Sequence, residues 1–222
     1  MCKKLIHIYI PVILCCAAMA FVDSIWQPGY ALKSAVKILL FLALPVLILH
    51  LQKDGGFFFL KPDRKAFLTG AVLGTVTLGV ILLGYQLLKP YLDLSAIPDA
   101  LSKDAGINAE NFVYVSIYIS LCNSFLEEFL FRGFAFLYPR RNGKSGLFNA
   151  LSALCFAVYH CAILDGWFSP ALYALILIAL FGCGLLFNFL DRYRERIWAS
   201  WLVHLFANIG INLIGMELLG IL

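Results

Sequence analysis

Long apolar runs, separated by short polar loops, dominate the chain. Seven runs are long enough, or nearly so, to cross ~30 Å of hydrocarbon at ~1.5 Å per residue. They cover residues 5–22, 31–51, 66–88, 111–138, 147–163, 168–190 and 197–214. These runs are too long for strands and lack the alternation of apolar and polar residues that strands show. The pattern therefore predicts an all-α fold, a polytopic integral membrane helix bundle with about seven transmembrane helices.

Composition excludes a soluble protein. Of the 222 residues, 62% are hydrophobic and 14% are charged, whereas soluble chains are ~45–50% apolar and ~25% charged. A soluble domain of this length could not bury so much apolar surface. We therefore treat residues 1–222 as a single membrane domain. Within it, Gly70 and Gly74 form a GxxxG motif, which predicts close packing of one helix against another.

The N-terminal segment fits two interpretations. Lys3 and Lys4 precede an apolar stretch that ends with the small residues of 17–20 (AAMA), a pattern also typical of a cleaved signal peptide. Because everything downstream is also apolar, we favour an uncleaved first transmembrane helix.

Basic residues concentrate in every second loop, and acidic residues fill the others. This alternation predicts a cytoplasmic N-terminus and an external C-terminus in a bacterial plasma membrane. The net charge of +4 comes from these loops, so it does not indicate nucleic-acid binding. Lys33 and Lys37 do not fit the alternation, and we expect them to snorkel outward from the start of the second span. The basic loop residues are Lys3, Lys4, Lys53, Lys61, Arg64, Lys65, Arg140, Arg141, Lys144, Arg192, Arg194 and Arg196.

Three predicted spans carry polar groups that are costly in hydrocarbon and therefore need a reason. Glu128 and Arg132 are four residues apart, so they share a helix face and can pair. Glu127 points ~100° away and has no local partner. Taken singly, each group has a structural explanation, but their conjunction favours a functional site. The full set is Glu127, Glu128 and Arg132 in the fourth span, Phe156 and His160 in the fifth, and His204 and Asn208 in the seventh.

These groups also lie at similar depth. Counted from the basic loops, Glu127 lies ~18 Å deep, His160 ~20 Å, Asn208 ~17 Å and His204 ~10 Å. A buried carboxylate can act as a general base on water, and a histidine can orient that water or move its proton. A second histidine and an amide can bind an oxyanion. The set therefore suits hydrolysis of an amide. Glu127, His160 and His204 are also potential ligands of a divalent metal that would activate the water.

Together the motifs Glu127-Glu128-x-x-x-Arg132, Phe156-x-x-x-His160 and His204-x-x-x-Asn208 resemble those of a known family. It is the CAAX-protease and bacteriocin-processing (CPBP or Abi) family of intramembrane glutamate-type proteases. The resemblance covers roughly residues 110–215. It implies that Glu127 is the catalytic base, that His160 helps to activate water, and that His204 and Asn208 stabilise the oxyanion. Glu128, Arg132 and Phe156 are then supporting residues.

The resemblance implies a division of the chain and a range of activities. Residues 1–110 would supply N-terminal spans and a long polar loop, and residues 111–215 a catalytic four-helix core. Eukaryotic members of the family cleave the last three residues from prenylated CAAX proteins, whereas bacterial members are linked to bacteriocin maturation and self-immunity. The family has been described both as metal-dependent and as metal-free, so either no cofactor or a divalent metal such as zinc is compatible.

We therefore expect a CAAX-protease-like intramembrane endopeptidase that hydrolyses a peptide bond near the membrane surface. Its expected partners are the lipid bilayer and a protein or peptide with a membrane-proximal cleavage site, with no nucleic acid. The sequence contains no HExxH or GxSxG motif, which disfavours zinc and serine intramembrane proteases. Two alternatives stay open. One is a non-catalytic self-immunity or scaffold protein of the same fold, and the other is a proton- or metal-coupled transporter.

Overall fold

The computed structural model describes residues 2–52, 56–141 and 145–222, and these residues form helices and turns without a strand. The predicted all-α class is confirmed. Lys53 and Lys144 lie outside the described residues, as do the side chains of Lys3 and Lys4. The main helices are α1 (Cys2–Phe21), α2 (Tyr30–Gln52), α3 (Arg64–Leu88), α4 (Ala96–Ala105), α5 (112–140), α6 (Ser145–Ile163), α7 (Pro170–Arg192) and α8 (Trp198–Leu218).

Six of the described helices are long and apolar enough to cross a membrane: α1 with its extension to Trp26, α2, α3, α6, α7 and α8. Helix α5 corresponds to the remaining predicted span, but it is not among these six. It is nevertheless the most enclosed helix, because every residue from 126 to 139 is buried. The other helices therefore surround the second half of α5, which carries the charged residues.

The backbone of α5 is wound in part as a π-helix, over Ile119–Asn123 and Glu128–Leu137. Such segments are rare and occur frequently at functional sites. Several backbone carbonyls of α5 accept hydrogen bonds from other helices. The side chain of Ser152 in α6 donates to Phe131 O at 2.7 Å, and that of Asn208 in α8 donates to Ile119 O at 3.2 Å. Polar side chains of two neighbouring helices are thereby tied to α5.

Aromatic packing encloses the same helix. The rings of Phe129 and Phe131 are fully buried, and Phe131 contacts Phe41 of α2 and Phe156 of α6 edge-on. Helix α1 joins them through Tyr9, whose hydroxyl donates to Ala135 O at 2.8 Å. Because lipid is as apolar as these side chains, such contacts stabilise the bundle through close packing and hydrogen bonds rather than through the removal of water.

Three of the basic loops gather at one end of the bundle. The guanidinium of Arg140 donates to the backbone oxygen of Arg192 at 2.9 Å. Arg194 pairs with Asp63, whose carboxylate also caps α3 by accepting from the backbone N–H of Ala66. The hydrogen bonds from the Ala66 N–H and from Arg194 lower the pKa of Asp63. The end of α5, the end of α7 with the loop that follows it, and the start of α3 therefore lie on the same side, as the charge pattern predicts.

Helices α3 and α8 approach closely at the predicted GxxxG motif. A Cβ atom at Gly70 would lie 2.9 Å from the backbone oxygen of Ala199, and one at Gly74 would lie 2.6 Å from a ring carbon of Phe206. These separations leave no room for a side chain. The two glycines therefore allow α8, with His204, to pack directly on α3, and the packing prediction is confirmed.

We expect Gly70→Ala to destabilise the protein by ~1–3 kcal/mol, because the added methyl group would collide with the backbone of α8. The measurement is thermal unfolding of the purified protein in detergent. Gly79→Ala is the matched control, since a Cβ at Gly79 has no atom within 4 Å. Equal melting temperatures for the two variants would contradict this account of the α3–α8 contact.

Candidate active site

Glu127 lies at the meeting point of three helices. Its side chain projects from α5 and is 2% exposed. One carboxylate oxygen, Oε2, lies 3.8 Å from Nε2 of His160 in α6 and 3.8 Å from Nε2 of His204 in α8. Both separations exceed a direct hydrogen bond, and Oε2 has no hydrogen-bond partner among the described residues. The structure therefore brings together three of the four candidate catalytic residues.

Both histidine rings are oriented through their other nitrogen. Nδ1 of His160 donates to the backbone oxygen of Phe156 at 2.7 Å, and Nδ1 of His204 donates to Oε1 of Glu128 at 2.8 Å. A hydrogen bond of this kind selects the tautomer and the ring orientation. Since Nδ1 donates in each case, Nε2 is the ring nitrogen that each histidine directs toward Glu127.

Glu128 and Arg132 support this arrangement. The ion pair expected from their spacing is present, with Nε of Arg132 at 3.2 Å from Oε2 of Glu128, and both side chains are fully buried. The guanidinium also lies over the rings of Phe156 and Phe187, at 4.0 and 4.9 Å from their centroids. Glu128 thereby joins Arg132 to His204, and Phe156 contacts the arginine as well as orienting His160.

Asn208 lies apart from the three converging atoms. Its hydrogen bond goes to Ile119 O on α5, and one turn later Asn212 donates to the backbone oxygen of Ser116 and the hydroxyl of Ser120. These bonds form a polar seam between α5 and α8. In this geometry the amide of Asn208 positions α8, and the structure shows no contact between it and Glu127.

Lys37 and Asn123 complete the surroundings of Glu127, although neither is among the residues that the sequence predicts for the site. Nζ of Lys37 lies 2.6 Å from Oε1 of Glu127 and also donates to Oδ1 of Asn123. Nδ2 of Asn123 donates to the same Oε1 at 3.0 Å. Because Lys37 belongs to α2, the site extends beyond the four-helix core expected within residues 111–215.

The expectation that Lys33 and Lys37 snorkel outward is wrong. Lys37 is buried and pairs with Glu127, and Lys33 pairs with the buried carboxylate of Asp23. The physical reason is the cost of an uncompensated carboxylate in a low-dielectric interior, which exceeds the cost of burying a lysine beside it. The sequence did contain a signal for this pairing: Glu127 is left without a cation on its own helix, and two lysines lie in an apolar span where the charge alternation does not account for them.

The donor set does not fit a divalent metal. Among residues 2–52, 56–141 and 145–222, no group of three or more His, Cys, Asp or Glu side chains is arranged to bind one. The ammonium of Lys37 is already 2.6 Å from Oε1 of Glu127, and a second cation on this carboxylate would be repelled at short range. We therefore derive no step through a metal.

Fold and site together define a polytopic membrane protein with a buried carboxylate and two histidines directed at it. Residues 109–210 match the model of the Rce1-like family, described as type II CAAX prenyl endopeptidase Rce1-like. Over this segment the chain is similar to that family of membrane proteases, so the predicted family resemblance is confirmed. No curated protein and no solved structure matches the chain. The seven motif residues lie inside the matched segment, whereas Lys37 lies outside it.

Lys37→Met should destabilise the protein strongly, by ~3–5 kcal/mol, because it leaves the buried carboxylate of Glu127 without a cation. Replacing both partners, as Lys37→Met with Glu127→Gln, should recover most of this loss, since neither charge then remains. Unfolding in detergent measures both effects. A single variant as stable as the wild type, or a double variant no more stable than the single one, would contradict the pairing.

Proposed function

We propose that the protein is an intramembrane endopeptidase that uses Glu127 to activate water for hydrolysis of a peptide bond near the membrane surface. One observation carries the proposal: a buried carboxylate oxygen faces Nε2 of His160 and Nε2 of His204, each at 3.8 Å. The similarity of residues 109–210 to a protease family supports it. A buried charged group of this kind is costly in a membrane protein and is therefore expected to serve a function.

In the proposed first step, a water molecule is bound between Oε2 of Glu127 and Nε2 of His160. Since Nδ1 of His160 donates to the Phe156 carbonyl, its Nε2 accepts a hydrogen bond from this water. Glu127 takes one proton as the water oxygen attacks the peptide carbonyl carbon. The product is a tetrahedral intermediate with a negatively charged oxygen.

His204 is the proposed donor to that oxyanion. In the proposed step Nε2 of His204 carries a proton and donates it in a hydrogen bond to the oxyanion, while the bond from Nδ1–H to Glu128 fixes the orientation of the ring. We assign Asn208 as a second donor through the amide hydrogen that does not bond to Ile119. When the intermediate collapses, the C–N bond breaks and the leaving amine takes the proton held by Glu127.

The proposed substrate is a protein or peptide with a cleavage site close to the membrane. The family description names CAAX prenyl endopeptidases, so a farnesylated CAAX peptide is the first probe. We further propose a bacterial plasma membrane location, with the N-terminus in the cytoplasm and the C-terminus outside. The basic loops joined through Arg140, Arg192, Arg194 and Asp63 would then face the cytoplasm.

Glu127→Gln should lower the rate of peptide cleavage ~10²–10⁴-fold, the range typical for loss of a general base. The assay uses the full-length protein in liposomes with the farnesylated CAAX peptide. The matched control is Glu217→Gln, which alters an exposed carboxylate paired with Lys89 and should keep the wild-type rate. Equal rates for wild type and Glu127→Gln would contradict the proposed base.

The native substrate can be found by comparing the termini of membrane-fraction proteins in host cells that express wild type or Glu127→Gln at equal levels. Termini that appear only with the wild type would identify substrates. If the two termini sets agree although deletion of the gene has a phenotype, a non-catalytic immunity or scaffold role becomes the better explanation. Solute flux in liposomes would instead favour a transporter.

A further inference from the structure

The two oxygens of the Glu127 carboxylate have different surroundings. Oε1 accepts hydrogen bonds from Lys37 at 2.6 Å and from Asn123 at 3.0 Å. Oε2 faces His160 and His204 and accepts none from the described residues. A carboxylate held at one oxygen by two donors cannot rotate freely, so the direction of its other oxygen is determined.

Lys37 is itself held firmly. Its ammonium lies 5.1 Å from the ring centroid of Phe41 and 4.8 Å from that of Tyr159. Both rings are buried, and a desolvated cation is attracted to such ring faces. The ring of Tyr159 in turn contacts the ring of His160 edge-on, with centroids 5.1 Å apart. The lysine therefore belongs to the same packed unit as the histidine that faces Oε2.

Lys37 is separated from Glu127 by 90 residues and lies outside the segment 109–210 that matches the protease family. We propose that Lys37 is a positioning residue for the reaction: its ammonium holds Oε1 of Glu127 so that Oε2 points between the two histidines. This inference rests on the proposed function of Glu127. Helix α2 would then take part in catalysis although no motif residue lies on it.

The alternative is that Lys37 only balances a buried charge. The chain offers an internal reference, because Lys33 lies one turn earlier on α2 and forms an ion pair with the buried Asp23. That pair is of the same kind, but it does not touch Glu127. Loss of Lys33 therefore removes a partly buried ion pair but leaves both donors to Oε1 of Glu127 in place.

The test compares Lys37→Met, Lys37→Arg, Lys33→Met and Glu127→Gln as full-length proteins in liposomes, with kcat and KM measured separately for the farnesylated CAAX peptide. We expect Lys37→Met to lower kcat by ~10²-fold with little change in KM, because a misdirected base impairs the reaction rather than binding. Lys33→Met should keep kcat within ~3-fold of wild type, since Lys33 makes no contact with Glu127 and both donors to its Oε1 remain in place. Lys37→Arg retains a charged donor of different geometry, so its kcat should lie between those of wild type and Lys37→Met.

Folding is checked for each variant by its melting temperature and by size-exclusion chromatography. If Lys37→Met does not fold, Lys37→Arg decides: a lowered kcat at unchanged KM supports positioning, and a wild-type kcat overturns it. For a folded Lys37→Met, a kcat within ~3-fold of wild type, or equal losses in Lys37→Met and Lys33→Met, would overturn the inference. A wild-type rate in Glu127→Gln would instead refute the proposed function, so the two failures are distinguishable.

Discussion

The negative charges of two adjacent carboxylates buried in α5 must be balanced by nearby cations or hydrogen-bond donors, and the rest of the structure depends on this constraint. An isolated carboxylate is very costly in a low-dielectric interior, and both Glu127 and Glu128 are buried. Glu128 is compensated within its own helix by Arg132 and across helices by His204. Glu127 has no cation on α5 and is compensated by Lys37 of α2. The need for partners therefore determines how α2 and α8 pack against α5.

The same constraint links stability to chemistry. His204 receives its orientation from Glu128, and Glu127 receives its orientation from Lys37 and Asn123. The polar groups that neutralise the interior are thus also those that direct Oε2 and the histidine nitrogens toward one another. Pre-organised groups of this kind need little rearrangement during a reaction, which is the main source of electrostatic catalysis. In this site, the carboxylate of Glu127 and the ring of His204 are each held by hydrogen bonds to buried neighbours.

The depth of a residue counted along its own helix does not determine which polar groups meet in the folded protein. Counted from the basic loops, His204 is ~8 Å shallower than Glu127, yet its Nε2 lies 3.8 Å from the carboxylate. Helix tilt and the length of the two side chains let groups at different helical positions meet. Helix α8 is enclosed by protein from its first turn, where Ile197, Ala199 and Ser200 are buried. The first turn of α8 also packs closely against α3, because Gly70 has no side chain to separate the two helices.

The sequence by itself determined the all-α membrane class, the positions of the helices and the pairing of Glu128 with Arg132. These features follow from the length of apolar runs and from the fixed geometry of one helix. Only the tertiary structure decided that Lys37 pairs with Glu127 and that Asn208 bonds to Ile119. Both contacts join different helices, and they depend on where each helix begins and how it is rotated. A single sequence contains no local signal for that rotation, because it is set by the packing of all the neighbouring helices together.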